Sequence, residues 1–202
     1  LLNNKIIIYY FEMNDTKCSI STNDNSYLSK EAESNFENKN KLDVNDELEN
    51  IIIDSISFNL ENLIRANQNV AKYCPQDIFF LSFIPKISLN EYIRILVKQT
   101  NMEISTLILA IIYIDRFCYK NNYTITKNNI IRILLTACLL SLKFNQDKII
   151  TNEVYSKITG VSMEDLKSLE FFMYLKLNFS LMVQDRLYKK YYNYFKSLSS
   201  QN

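Results

Sequence analysis

Apolar residues recur at helical spacing through the second half of the chain. The first such segment follows Ser88 and Glu91, whose spacing is that of a capping box at a helix start. Its apolar positions are spaced i, i+3, i+4, i+7 and i+8 and are Leu89, Tyr92, Ile93, Leu96 and Val97. Two further segments, 104–120 and 127–144, are apolar on nearly every face, which predicts helices at the centre of a helical domain.

Three shorter segments complete this pattern. Residues 152–158 predict a short helix that ends at Gly160, a residue suited to the left-handed cap position. Ser162 is placed to cap a helix that runs to about Lys176. The aromatic segment 185–198 predicts a last helix packed on the others rather than a binding platform. The chain from residue 89 to the end of the Ser162 helix therefore predicts five helices joined by short loops.

The N-terminal part is less regular. Residues 14–45 are polar and predict a linker or a loosely held arm. Asp46 to Glu49 then resembles a capping box that opens a helix ending near Asn69. The apolar stripe of this helix consists of Leu48, Ile52, Ile56, Leu60, Leu63 and Ile64.

These patterns divide the chain into four parts. A connector broken by Pro75 and Pro85 separates the first helix from the others. An apolar run, Ile6 to Phe11, precedes the polar stretch and leaves open self-association through the arm. We expect a polar arm (1–45), a helix with its connector (46–82), a helical box (83–184) and a helical tail (185–202).

Composition supports an all-α fold. The chain has 202 residues, of which 48% are hydrophobic, so a sizeable core can form. It has one Gly and two Pro, whereas sheets, barrels and dinucleotide-binding folds need more turn residues.

Composition also narrows the function. The net charge is +1, from 23 basic and 22 acidic residues, which gives no electrostatic reason to expect nucleic acid as the partner. The longest uncharged apolar run, 104–114, is too short to span a bilayer, so we expect a cytoplasmic or nuclear protein without membrane contact.

The chain has no His, so we expect no metal site, no cofactor and no catalytic residue. Its widely spaced cysteines are expected to be free thiols of a reducing compartment: Cys18, Cys74, Cys118 and Cys138.

Four charges lie in or beside apolar helical positions: Arg94, Asp115, Lys143 and Glu170. A charge in an apolar run is costly unless it is paired, reaches water or meets a partner. Each long side chain alone could reach water from the edge of its stripe, but recurrence on successive helices favours a shared role. An ion pair of Asp115 with Arg94 or Lys143 would be a structural use. Alternatively, Lys143 and Glu170 flank an exposed apolar face and bind backbone groups of another chain.

Five segments resemble, in order and spacing, the cyclin box, and more closely that of the single-box P-type cyclins. They are Ile84–Ile95, Tyr113–Phe117, Leu140–Phe144, Asp147–Gly160 and Leu169–Val183. The resemblance covers about residues 83–184. It implies an all-α, five-helix cyclin box with additional N-terminal and C-terminal helices.

The resemblance further implies a regulatory subunit that is not an enzyme. Cyclins bind a cyclin-dependent kinase through the third and fifth helices of the box, against the kinase helix that carries the active-site glutamate, and so activate it. By position, Lys143 and Glu170 match the kinase-contacting pair. Under this interpretation the two charges are separate ends of a kinase-binding face rather than an internal salt bridge. The resemblance places the family's apolar kinase contacts, which lie between the two charges, at Leu140, Phe144 and Phe179. It places the buried charges that brace the box at Arg94 and Asp115.

Some positions depart from the family pattern. Asn145-Gln146-Asp147 keeps one of two usual acidic residues, and Thr159 stands where a second glycine is common. Residues 184–202 are too few for a second box, so we expect one. A non-activating scaffold that binds other proteins and a small enzyme are the alternatives. The Lys143 and Glu170 pair favours the activating cyclin, and the lack of His and of a phosphate-binding glycine loop argues against an enzyme.

Overall fold

The computed structural model describes residues 37–68, 77–147 and 150–198, with side chains from residue 46 onward. This part of the chain forms seven α-helices and contains no strand, which confirms the all-α prediction. The helices are α1 (Glu37–Ala66), α2 (Leu89–Thr100), α3 (Ile104–Asn121), α4 (Ile130–Asn145), α5 (Asn152–Thr159), α6 (Met163–Lys176) and α7 (Asp185–Leu198).

Helices α3 and α4 pack against each other at the centre of the fold. Both are buried over most of their circumference, as the continuous apolar pattern predicts. The polar groups inside this interface are paired: the Ser141 hydroxyl donates to the Thr106 carbonyl at 2.7 Å. Since an unpaired buried hydroxyl is costly, this bond lets α3 and α4 approach closely without a penalty.

The other helices surround this central pair. Helix α2 packs on α1 and α5, α6 packs on α3, α4 and α5, and α7 packs on α1 and α3. Tyr191 and Phe195 of α7 are fully buried, and the Tyr194 hydroxyl donates to Asn59 Oδ1 of α1 at 2.7 Å. The prediction that the aromatic tail is a packed helix is therefore confirmed.

Local caps fix the ends of several helices where they were predicted. The Ser88 hydroxyl accepts from the Glu91 N–H at 3.1 Å, and the Ser162 hydroxyl accepts from the Asp165 N–H at 3.0 Å. Gly160 ends α5 in the left-handed conformation, with φ of 70°. These caps set the starts of α2 and α6 and the end of α5.

The start of α1 differs from the prediction. The helix begins at Glu37, so Asp46 to Glu49 lies inside it and is not a capping box. Once an amphipathic helix has formed, each added residue is inexpensive, and the Lys- and Glu-containing residues 37–45 extend it into the stretch predicted to be an arm. The predicted stripe is correct, since Ile52, Ile56, Leu60 and Ile64 are buried.

The connector before α2 is fastened to the start of α4. The Leu81 N–H donates to the Asn128 carbonyl at 2.7 Å, and Asn128 Nδ2 donates back to the Leu81 carbonyl at 2.8 Å. Phe79 is buried, with its ring centroid 5.5 Å from that of Phe117. Several predicted features lie outside the described residues: the Ile6–Phe11 run, Cys18, Cys74 and Pro75.

Candidate functional site

Lys143 and Glu170 are in direct contact. Lys143 Nζ lies 2.6 Å from Glu170 Oε1, and the two side chains are 30% and 20% exposed. The prediction that Lys143 and Glu170 lie at separate ends of a kinase-binding face is therefore wrong, because the two charges form one ion pair that joins α4 to α6. The pair is partly open to solvent, so a partner chain can still reach it.

The helices place these two charges for identifiable reasons. Lys143 lies in the last turn of α4, where a cation interacts favourably with the helix dipole. Glu170 lies beside the buried Leu169 in α6, at the edge of the stripe that packs on α4. A second ion pair, between Arg132 of α4 and Asp165 of α6 at 3.8 Å, lies about three turns away along α4. Both pairs hold α6 at a fixed position on α4.

A third side chain completes the group. Asn152, the first residue of α5, donates from Nδ2 to Glu170 Oε2 at 2.9 Å. Each carboxylate oxygen of Glu170 thus has a donor, one from α4 and one from α5. Asn152 lies in one of the five segments that resemble the cyclin box, but the sequence did not place it in the site, because its position next to Glu170 follows from the packing of α5 on α6.

Exposed aromatic side chains lie close in sequence to this ion pair. Phe144 is 54% exposed and Phe179 is 55% exposed, whereas Leu140 is buried, so little of its side chain reaches the surface. Phe171, next to Glu170, is 63% exposed and was not predicted as a site residue. Its position opposite the stripe of Leu166, Leu169 and Met173 on α6 was a signal that could have found it.

The loop after α6 holds Phe179 in an unusual conformation. Its φ is +57°, which is strained for a bulky aromatic residue. Its N–H donates to the Tyr174 carbonyl at 3.0 Å, and the two rings meet edge to face with centroids 4.9 Å apart. Arg116 of α3 donates to the Ser180 carbonyl at 2.7 Å and Lys120 donates to the Leu177 carbonyl at 3.2 Å. These bonds fasten the loop to α3 and direct Phe179 outward.

The other two predicted charges have different partners. Arg94 of α2 binds Asp54 of α1 at 2.5 Å, donates to Asn90 Oδ1 at 2.8 Å and also donates to Asn50 Oδ1. Asp115 is buried and accepts from the Tyr191 hydroxyl of α7 at 2.6 Å. The carboxylates that pair with Arg94 and Lys143 are Asp54 and Glu170, whereas the sequence had suggested Asp115 for either cation.

The cysteines of the described residues are unsuited to nucleophilic chemistry. Cys118 and Cys138 are free and buried, and burial raises the pKa of both thiols. Since the thiolate is the reactive form, both behave as small apolar side chains, as predicted. Among the described residues, no group of three His, Cys, Asp or Glu side chains is arranged to hold a metal ion. No helix within residues 37–68, 77–147 and 150–198 is both long and apolar enough to cross a membrane.

A groove lies at the opposite end of α4 from Lys143. Its volume is about 410 Å³, and it opens between the end of α1, residues 84–87 and the start of α4. Ile64, Ile84 and Ile131 line it, with charged side chains such as Arg65 and Lys127 at its wall. This groove shares no residue with the ion pair and its aromatic neighbours.

Comparison with known proteins identifies the family. A family model described as Cyclin matches residues 6–181. Cyclin-U4-3 of Arabidopsis thaliana is 29% identical over 141 residues, which cover 69% of this chain and 64% of that protein. Cyclin-U2-1 of the same plant is 25% identical over 146 residues, covering 70% and 66% of the two chains. Cyclin-P3-1 of Oryza sativa subsp. japonica is 26% identical over 107 residues, covering 53% and 45%.

The match to the two Arabidopsis proteins spans slightly less than two thirds of their lengths. The family model, in contrast, spans most of this chain, from the N-terminal part through α6 to Leu181. On this match and on its all-helical fold, the chain belongs to the cyclin family.

Proposed function

We propose that this protein is a regulatory subunit that binds and activates a cyclin-dependent Ser/Thr protein kinase. The observation that carries the proposal is the partly exposed Lys143–Glu170 ion pair with exposed Phe144 and Phe171 next to it in sequence. Helices α4 and α6, which hold the pair, are the third and fifth helices of the box. In the cyclin family these two helices receive the kinase helix that carries the active-site glutamate.

The Lys143 ammonium has donors left for a partner. An ammonium has three N–H groups, and one of these has an acceptor, Glu170 Oε1, among the described residues. Glu170 likewise has lone pairs beyond the two that accept from Lys143 and Asn152. Backbone carbonyl and N–H groups of a kinase helix end would fit these positions, and hydrogen bonds to charged groups are stronger than neutral ones.

The pairing also lowers the cost of covering these charges. A single charge buried at an interface loses its hydration, whereas Lys143 and Glu170 already compensate each other in the free protein. The exposed rings of Phe144, Phe171 and Phe179 would supply apolar contact area around the polar centre. Once bound there, the kinase helix is held in the position that phosphoryl transfer requires. The cyclin itself supplies no catalytic group.

A pull-down with a panel of purified monomeric cyclin-dependent kinases tests the proposal. The wild-type chain should form a 1:1 complex with a member of the panel and raise its activity. Lys143→Ala and Glu170→Ala should each weaken that complex by about 2 kcal/mol or more, or about thirtyfold in Kd. The matched control is Lys157→Ala, since Lys157 forms an exposed 2.9 Å pair with Glu153 on α5. Folded variants that bind as well as wild type would refute the role of the pair.

A non-activating scaffold is the second candidate. The apolar groove at the start of α4 favours it, because it offers a binding surface separate from the ion pair. Kinase binding and activation that survive Ile131→Asp but are weakened by Glu170→Ala support the activating cyclin. If no kinase of the panel binds wild type, the scaffold becomes the better proposal.

Three narrower proposals accompany this function. The five-segment resemblance supports a single-box, P-type cyclin. A regulatory partner of such a kinase would act in the cytoplasm, the nucleus or both. Self-association through the N-terminal arm remains a prediction, and the molar mass from light scattering of the full chain tests it.

A further inference from the structure

We propose that Asn152 is a positioning residue that orients the Glu170 carboxylate for kinase binding. The inference rests on the proposed function and adds α5 to the elements that shape the binding face. Its basis is the 2.9 Å bond from Asn152 Nδ2 to Glu170 Oε2, opposite the 2.6 Å bond from Lys143 to Oε1. With a donor on each oxygen, the plane of the carboxylate is fixed from two helices.

The side chain of Asn152 is not needed to start α5. The free backbone groups at a helix start are N–H donors, which need an acceptor. Thr151 provides it, since its hydroxyl accepts from the Val154 N–H at 3.3 Å. Asn152 instead directs a donor group away from its own helix and towards α6. Capping therefore does not explain this side chain.

The orientation of the amide also points to Glu170. Asn152 Oδ1 is buried and has no hydrogen-bond partner among the described residues. A buried carbonyl without a partner is costly, so some other contact must determine which way the amide faces. Rotation of the amide would bring Oδ1 against the carboxylate of Glu170, and the charge of Glu170 therefore fixes the observed orientation.

This arrangement decides what Glu170 can offer to a partner. A carboxylate has about four lone-pair positions, and Lys143 and Asn152 occupy one on each oxygen. The remaining positions face in fixed directions as long as both donors are present. Without Asn152 the carboxylate could rotate about its bond to the ethyl chain and follow Lys143 alone.

The decisive variant is Asn152→Asp, which keeps the shape and replaces the donor by an acceptor. An acidic residue at the start of a helix is favourable, so a role in α5 alone predicts no loss of stability. A positioning role predicts that the new carboxylate repels Glu170. Kinase binding should then fall about tenfold relative to wild type near pH 7.5, the factor that corresponds to one pK unit of interaction between charged groups.

The pH dependence separates the two roles further. Two adjacent carboxylates repel each other, so one of them takes up a proton at a higher pH than an isolated carboxylate would. Lowering the pH to about 5 should therefore remove the repulsion and restore kinase binding of the variant relative to wild type. Among the described residues, the charged groups bonded at this point are Lys143 from α4 and Glu170 from α6, and Glu153, next in the chain, is paired with Lys157. Asn193→Asp, at an exposed position of α7, is the matched control and should bind like wild type at either pH.

The free protein provides a second measurement. In urea unfolding at low salt near pH 7.5, Asn152→Asp should have a lower midpoint than wild type, and adding Glu170→Gln should restore it. Equal kinase binding of Asn152→Asp and wild type would overturn the proposal, as would a loss that is the same at both pH values. If the wild-type chain binds no kinase of the panel, both the proposed function and this inference fail. That outcome differs from failure of the inference alone, in which wild type binds a kinase and Asn152→Asp binds it equally well.

Discussion

Two partly exposed ion pairs of similar length differ in how many partners their cations have within this molecule. Arg94 and Asp54, 2.5 Å apart, join α2 to α1, and Lys143 and Glu170, 2.6 Å apart, join α4 to α6. Arg94 also donates to two asparagine side chains of these same helices, so its guanidinium is bound within the chain on three nitrogens. Lys143 has a single acceptor in the described structure. The first pair is an internal connection, whereas the second retains bonding capacity for another molecule.

Exchanging the two charges of each pair gives the largest expected difference. The double variant Lys143→Glu/Glu170→Lys should keep an ion pair and unfold within about 1 kcal/mol of wild type, since partly exposed pairs contribute little. Its kinase affinity should fall about a hundredfold or more, because each donor and acceptor presented to the kinase is inverted. Arg94→Asp/Asp54→Arg is the comparison and should leave affinity unchanged. Isothermal titration calorimetry measures the affinity and urea unfolding at low salt measures the stability. Equal losses of affinity in the two exchanges would contradict the distinction.

Removing an aromatic ring beside the second pair should have an intermediate effect. Phe144→Ala and Phe171→Ala should each weaken kinase binding about tenfold, the loss typical of an aromatic contact residue, with little change in the free energy of unfolding. Phe58→Ala on α1 is matched in exposure, at 55% against 54% for Phe144, and should not change affinity. A Phe58 variant that loses as much affinity as the other two would show that the face is placed wrongly.

Shortening the internal pair should have the smallest effect. Asp54→Ala removes an acceptor of Arg94 that is more than half exposed, and the free energy of unfolding should fall by about 0.5–1 kcal/mol. Kinase affinity should stay within twofold, about the error of a titration. Thermal and denaturant unfolding measure the first quantity, and a binding loss as large as that of Glu170→Ala would mean that the two pairs are coupled through α2 and α5.

The sequence predicted the helices well because their signals are local. Apolar spacing located α2 and α4. The caps Ser88 and Ser162 located the starts of α2 and α6, and Gly160 located the end of α5. The start of α1 was missed because its polar first turns have no apolar stripe and depend on the helix that follows.

The sequence singled out the charges of the candidate site but did not predict which of them touch. Lys143 and Glu170 stood out because a charge in an apolar run needs an explanation. Whether they touch depends on the crossing of α4 and α6, which no local pattern encodes. The same holds for Asp115, whose partner Tyr191 is 76 positions away in the chain, and for Asn152, which meets Glu170 through the packing of α5 on α6.

The backbone conformation of Phe179 affects both the stability of the fold and the proposed kinase binding, in opposite directions. A positive φ is comfortable for Gly and acceptable for Asn, but a phenylalanine there stores strain that the rest of the loop must hold. Gly at this position would relieve that strain, although it would also lose the edge-to-face contact with Tyr174. The same exchange would remove an exposed ring that the kinase is proposed to contact, so a more stable variant would be a weaker regulator. Under the proposed function, a gain in thermal stability at this position would therefore come with a loss of kinase affinity.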